Sequence, residues 1–399
     1  MIVFTIILSA SCDRADTGKN KAETSDDSGF FAVRDKGSAT ASFFAFDTYM
    51  KITVYEDEDG PVGEAGLRKL CDEAQRLEKI FSTTDPEAEI YAFNHRSSEN
   101  GRVSKETVEL FELSKSVWEK THGALDPTAY PLVKAWGFTT GEYRVPAGSE
   151  LEGLLKKTGM DKMRGAGTEL IAEEGFELDF GATAKGYLSN VLTAMLREMG
   201  AESAMLDLGG NIEVIGRKKD GSLWNIGIKD PFDASGIIGY VSVSDAAVVT
   251  SGGYERYFTD EAGNVYWHII DPSTGYPAHS GLVSVTVVGE DAAMCDALST
   301  AFFVMGEQAV REYCENAGGA EYILVGETGS VTVSEGLKDI FTAAESVSVV
   351  WDRAADDASQ TAGKLKPREK NKLNRRLTKY VAGPYYPAWK LEQGKRLPD

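Results

Sequence analysis

Residues 291–306, DAAMCDALSTAFFVMG, read as a helix that is apolar nearly all the way round. Such a helix has no face to offer water, so it belongs inside the protein with other elements packed about it. Within it Asp296 and Thr300 stand four apart, about one turn, and their side chains emerge on the same face. Their neighbours Ala297, Leu298, Ala301, Phe302, Phe303 and Val304 are all apolar. An ionised carboxylate in that setting is costly unless backbone hydrogen bonds or a cation satisfy it. Both answers are open to the pattern. If a cation is the answer, Asp and Thr form an all-oxygen pair that suits a hard ion such as Mg²⁺ better than zinc.

The chain has 399 residues, enough for a large core in one or two domains. Its apolar content of 42% and charged content of 26% are ordinary for a globular protein. The formal charge of −20 argues against nucleic-acid binding over most of the surface. An anionic ligand would then be handled through a local positive site or a metal. The basic exception is the C-terminal stretch from Lys364 to Asp399, with 11 Lys and Arg against three Asp and Glu. It reads as a solvated tail that a membrane surface could attract, with nucleic-acid binding as the weaker reading.

The first residues, MIVFTIILSASC, are an apolar run that ends in small residues and Cys12. The run is too short to span a bilayer. It reads as a lipoprotein signal over 1–12, with Cys12 as the lipid acceptor, although no basic residue precedes the run; an ordinary cleaved signal is the other reading. That places the chain in a bacterial cell envelope, lipid-anchored on the periplasmic side of the inner membrane. Residues 13–40 read as a flexible tether. Cys71 and Cys295 fall in amphipathic or apolar helical patterns and read as small core residues, and no close Cys pair suggests zinc or redox chemistry.

From Phe43 the chain alternates apolar and polar residues as a strand does. Helical spacing follows over 64–81 and from Ser104 to about Lys120, and again near 307–317. Residues 175–200 read as a strand FELDF, a turn at Gly181 and a helix closed by Gly200. Glycine-punctuated strands make up much of the rest. Strands and helices interleave without a strict βαβ repeat, which predicts α+β with a large mixed or antiparallel sheet and flanking helices.

Three further sites carry polar chemistry. In ELDFGATAKGY, Asp179 precedes the turn and Lys185 falls in the first helical turn, where free N–H groups suit a phosphate. A lysine there opposes the helix dipole unless an anion is bound nearby, though a surface lysine is the plainer reading. In YWHIIDPSTGYP, His268 stands in a strand-like run before turn residues; a structural hydrogen-bonder is the plainer reading and a proton acceptor the sharper one. TSGGYERYF adds Thr250, Ser251, Tyr254 and Arg256 beside a glycine turn. In GALDPTAYPLVKAWGF, Asp126 precedes a proline turn, and Trp136 and Phe138 read as core.

Taken in order, ALDPTAYPLVKAWGF, LDFGATAKGY, LDLGGNIEVIG, TSGGYERYF, HIIDPSTGYP and CDALSTAFFVMG closely resemble the ApbE family of FAD:protein FMN transferases. The match runs from about Phe43 to Gly306 and more loosely to 348, which sets a transferase domain at 41–348 and a basic tail at 349–399. The resemblance implies two lobes around a central cleft that binds FAD as substrate. It implies Mg²⁺-dependent transfer of FMN to a Ser or Thr of an acceptor protein, with release of AMP. It assigns the metal to the Ala182 carbonyl, Asp296 and Thr300. Flavin contacts fall on Phe46, Thr84, Ala124, Leu125, Asp126, Asp179, Lys185 and the stretch from His268 to Ile270. It gives His268, with Asp296, a catalytic role, and suggests membrane redox-pump subunits as acceptors.

Phe46-Asp47-Thr48 stands where many members have Met-Gly-Thr, and Thr84 where many have an aromatic residue. Two other functions fit the same residues: Mg²⁺-dependent hydrolysis of FAD to FMN and AMP, and non-catalytic storage of flavin by a lipoprotein.

Overall fold

A computed structural model describes residues 24–25, 29–57, 59–96, 100–317 and 320–352. The Cys12 lipid site and most of the basic tail lie outside these residues. The fold is α+β, as its sequence predicts. Among the described residues its centre is an eleven-stranded sheet. The order across it is Thr24–Ser25, Phe31–Asp35, Ser38–Ala45, Thr48–Val54, Ala204–Leu208, Asn211–Ile215, Ala246–Gly252, Leu282–Gly289, Glu321–Gly326, Val331–Ser334 and Val349–Asp352. Every neighbouring pair is antiparallel except the last, which is parallel.

Two domain limits shift. The expected tether reaches residue 40, yet Phe31–Asp35 pairs with Ser38–Ala45 as part of the sheet. The expected tail begins at 349, yet Val349–Asp352 adds the last strand. In both cases a short alternating run inside a polar stretch finds a sheet edge to complete.

Alternation in the strands dresses the sheet on both faces. In Ala246–Gly252, Ala247 and Val249 join one core cluster while Val248 joins another on the opposite side. On the first face lie three helices, α1 (Gly63–Phe81), α6 (Ala184–Glu198) and α7 (Ala292–Met305). Between α1 and α6 in the chain run α2 (Glu89–Asn94), α3 (Lys105–Lys120), α4 (Tyr130–Ala135) and α5 (Gly148–Leu155). On the second face packs a three-stranded sheet of Trp224–Asp230, Asp233–Val243 and Phe341–Ala343.

The apolar α7 is enclosed as expected. It contacts α6, α3 and the strands Ala246–Gly252 and Leu282–Gly289. Asp291 caps its start by accepting from the N–H groups of Ala293 and Met294, and Gly306, with φ 79°, ends it. A smaller core of Leu132, Trp136, Phe138, Leu151 and Ile270 forms a second lobe around α4 and α5.

One element departs from the sequence pattern. FELDF is extended but unpaired, because the Asn94 side chain replaces a neighbouring strand. It donates to Leu178 O at 2.8 Å and accepts from Leu178 N at 2.7 Å. One amide side chain thus satisfies the backbone that a ladder would otherwise pair.

Candidate active site

Between the two lobes lies a cavity of about 1230 Å³. Every residue singled out above as catalytic, metal-holding or flavin-contacting lines it: Phe46, Thr84, Ala124, Leu125, Asp126, Asp179, Ala182, Lys185, His268, Ile270, Asp296 and Thr300. These come from six separated stretches of chain, so the fold gathers them.

The floor is built where α6 meets α7. Phe180 O accepts from Thr183 N and Ala184 N, which starts α6 at a tight bend carrying the Ala182 carbonyl. Asp179 braces that bend by accepting from Gly181 N at 2.8 Å. One turn into α6, Gly186 N donates to Asp296 Oδ2 at 2.8 Å. A Cβ at Gly186 would come within 2.3 Å of Ala292 O and 2.7 Å of Asp296 Cβ, so only glycine allows this approach. Asn190 fastens the same helix pair, donating to Asp291 Oδ1 at 2.8 Å and accepting from Ala292 N at 3.0 Å.

Asp296 is only 4% exposed, and burial pushes its carboxyl pKa up. Lys185, the Gly186 N–H and the Asn211 amide all favour its charged form. Asn211 Nδ2 has no hydrogen bond of good geometry and lies in the cavity wall. Thr300 Oγ1 is 3.0 Å from Ser251 Oγ, which is also 2.8 Å from Ser299 Oγ. Asp296, Thr300 and the Ala182 carbonyl therefore bring one carboxylate, one hydroxyl and one carbonyl to the same cavity. That donor set is all oxygen and carries one negative charge. It fits a hard divalent cation that keeps further places for ligand oxygens. Among the described residues no cluster of three or more His, Cys, Asp or Glu offers a rival site.

The rest of the lining mixes acidic, polar and apolar groups with the cations Lys185, Lys229 and Arg256. Lys185 Nζ donates to Gly181 O at 3.3 Å. Arg256 O accepts from His268 N at 3.0 Å and lies 3.2 Å from His268 Nδ1. A carbonyl can only accept, so that contact puts the proton on Nδ1 and leaves Nε2 free as an acceptor. His268 follows the strand Val265–Trp267 rather than lying inside it. Burial, with Arg256 and Lys185 nearby, pulls its pKa down to about 4, so the imidazole is neutral.

Asp126 lines the cavity, but its carboxylate is occupied. It accepts from Thr128 N, Thr128 Oγ1 and Trp118 Nε1, so it shapes the wall. At the rim, Phe46 and Asp47 form a two-residue hairpin turn with φ of 52° and 56°. Glu78 Oε1 holds the turn through Phe46 N at 2.7 Å.

Gly186, Asn190, Asn211 and Glu78 act in this site, yet no role is legible for them in the sequence. Gly186 had one available signal, a glycine inside a helix directly after the site lysine.

The family model described as the ApbE family matches residues 46–324. This chain belongs to the ApbE family. Among its relatives is the FAD:protein FMN transferase of Treponema pallidum, 31% identical over 310 residues, covering 73% of this chain and 85% of that one. The FAD:protein FMN transferase of Vibrio cholerae is 36% identical over 62% of this chain and 76% of its own. Two solved ApbE structures share the fold. The ApbE protein of Thermotoga maritima superposes with a TM-score of 0.69 at 34% identity, covering 78% of this chain and 99% of that one. The flavin transferase ApbE of Vibrio cholerae gives 0.70 at 28%, covering 76% and 99%.

Proposed function

We propose that this chain is an FAD:protein FMN transferase that uses Mg²⁺ to move FMN from FAD onto a Ser or Thr hydroxyl of an acceptor protein. The observation that carries this reading is the Gly186–Asp296 contact, which brings the α6 bend and the α7 oxygen pair to one cavity wall. Membership of a family whose named relatives are FAD:protein FMN transferases supports the activity itself.

The hydroxyl oxygen attacks the FMN-side phosphorus. The bond from that phosphorus to the bridging oxygen breaks, and AMP leaves with that oxygen. Lys185 and Arg256 hold the diphosphate and offset its charge within a chain of net −20. Asp296, Thr300 and the Ala182 carbonyl would hold the cation, which when bound neutralises charge on the phosphoryl oxygens. His268, neutral and with Nε2 free, takes the hydroxyl proton. A diphosphate that compensates Lys185 and Arg256 also raises the histidine pKa toward its ordinary value, which improves it as a base. Phe46, Leu125 and Ile270 supply apolar contact for the flavin.

We further place the chain on the periplasmic side of a bacterial inner membrane, held by a lipid on Cys12. The apolar run before that cysteine and the polar stretch after it support this. Membrane redox-pump subunits are the acceptors we propose.

The test is incubation with FAD, Mg²⁺ and such a subunit, followed by intact mass. The reading requires a covalent FMN adduct on Ser or Thr together with one AMP per adduct. AMP and free FMN without any adduct would make the chain a hydrolase, and no AMP at all would leave it a flavin binder.

A further inference from the structure

Among the described residues, the three-stranded sheet leaves one long edge open beside the cavity. Trp224–Asp230 is its outermost strand there and pairs only with Asp233–Val243. Among the described residues, no backbone group outside that ladder bonds to it. Trp224, Ile226 and Ile228 face the core, whereas Asn225, Gly227 and Lys229 are exposed. Gly227 and Lys229 also line the cavity.

An exposed strand edge invites another strand, and proteins usually guard such edges with proline, bulges or inward charges. Here Trp224 to Ile228 carries no proline, no charge and no break in register; the ladder becomes irregular only beyond it, at Lys229 and Asp230. Gly227 leaves the ledge clear, since a Cβ there would meet nothing closer than Ile237 at 3.5 Å.

The floor beside this edge is part polar and part aromatic. Tyr49, Lys51, Thr53 and Tyr55 alternate onto one face of the main sheet. Tyr55 packs on Trp224 with ring centroids 5.2 Å apart, which marks where the small sheet stops covering that face. Past that point Phe44 and Tyr49 stand opposite each other, 58% and 63% exposed. Their hairpin turns at Phe46 and Asp47, back at the cavity rim.

We propose that the acceptor protein docks here, its segment bearing the reactive Ser or Thr adding as a strand to the open edge of Trp224–Asp230. Alternate apolar residues of that segment rest on Phe44 and Tyr49, and the chain then passes Gly227 and Lys229 into the cavity. Backbone pairing gives affinity, and the alternate side chains that reach Phe44 and Tyr49 give selectivity. The inference rests on the transferase reading, because only a protein acceptor has to bring a polypeptide to the cavity.

The probe is a capped synthetic peptide of alternating Val and Thr with Lys at both ends, incubated with the full chain, FAD and Mg²⁺. Two N-methylated versions carry methyl groups on one or the other alternate set of amides. An added strand pairs through one edge only, so one version should lose at least about tenfold in FMN adduct while the other keeps it. F44S/Y49S, two exposed positions outside the cavity, should raise the peptide KM several-fold while leaving FAD binding unchanged. Equal modification of all three peptides, equal loss in both methylated ones, or an unmoved KM overturns the docking mode. AMP release without any peptide adduct overturns it as well when the acceptor subunit is modified under the same conditions; if the subunit is not modified either, the transferase reading fails instead. If FAD is not cleaved at all, the transferase reading itself fails and takes this inference with it.

Discussion

Gly186 N donates to Asp296 Oδ2 at 2.8 Å, and this one hydrogen bond ties the α6 bend to the oxygen pair of α7. Glycine is required there because a Cβ would collide with α7 backbone and side-chain atoms at 2.3 to 2.7 Å. Gly186→Ala should therefore push the helices apart, costing about 1–3 kcal/mol in stability. Transfer should fall more steeply than stability does, because the same shift displaces Asp296. Urea unfolding and adduct formation on one preparation check this; unchanged activity would mean that the approach is not needed.

Asp296→Asn separates charge from packing. The amide keeps an oxygen for the Gly186 N–H but no longer carries a charge that burial penalises. Stability should hold or rise slightly, while transfer falls on the order of 100-fold or more. Thermal unfolding beside an FMN-transfer assay over a Mg²⁺ series distinguishes this from a merely structural aspartate, whose replacement would leave the Mg²⁺ dependence intact.

His268 should titrate at about 4 in the ligand-free protein, well below an ordinary histidine. Its folded pKa is depressed, so the unfolded chain binds the extra proton between pH 6.5 and about 4. Stability from this group is complete above that window and declines as pH falls through it. NMR titration of the four histidines provides the check, and FAD should move the His268 midpoint upward. A midpoint near the ordinary value without ligand would contradict the half-buried, cation-flanked setting.

Phe46 and Asp47 hold left-handed backbone that Asn and Gly adopt more readily. Replacing the pair by Asn-Gly should stabilise the hairpin by about 1 kcal/mol and weaken FAD binding by removing the rim aromatic. Thermal unfolding and flavin fluorescence quenching report the two effects separately. Tighter FAD binding in the variant would remove Phe46 from the flavin site.

Much of the fold and site was legible because each signal was local. The all-apolar α7 had to be enclosed, and the spacing of Asp296 and Thr300 fixed their shared face. The helical patterns at 64–81 and from Ser104 to about Lys120 correspond to α1 and α3. What stayed hidden depends on partners distant in sequence. Asn94 stands 84 residues from the backbone of Leu178 that it satisfies. Gly186 is explained only by α7, 110 residues from it at Asp296. The resemblance puts Asp126 among the flavin contacts, and only its neighbours Thr128 and Trp118 show that its carboxylate already accepts three hydrogen bonds.

In a crystal soaked with FAD and Mn²⁺, the anomalous signal locates the metal. The peak should be ligated by the Ala182 carbonyl, Asp296 and Thr300 and bound to the FAD diphosphate. A metal bound elsewhere, or a diphosphate seated away from these three oxygens, would contradict it.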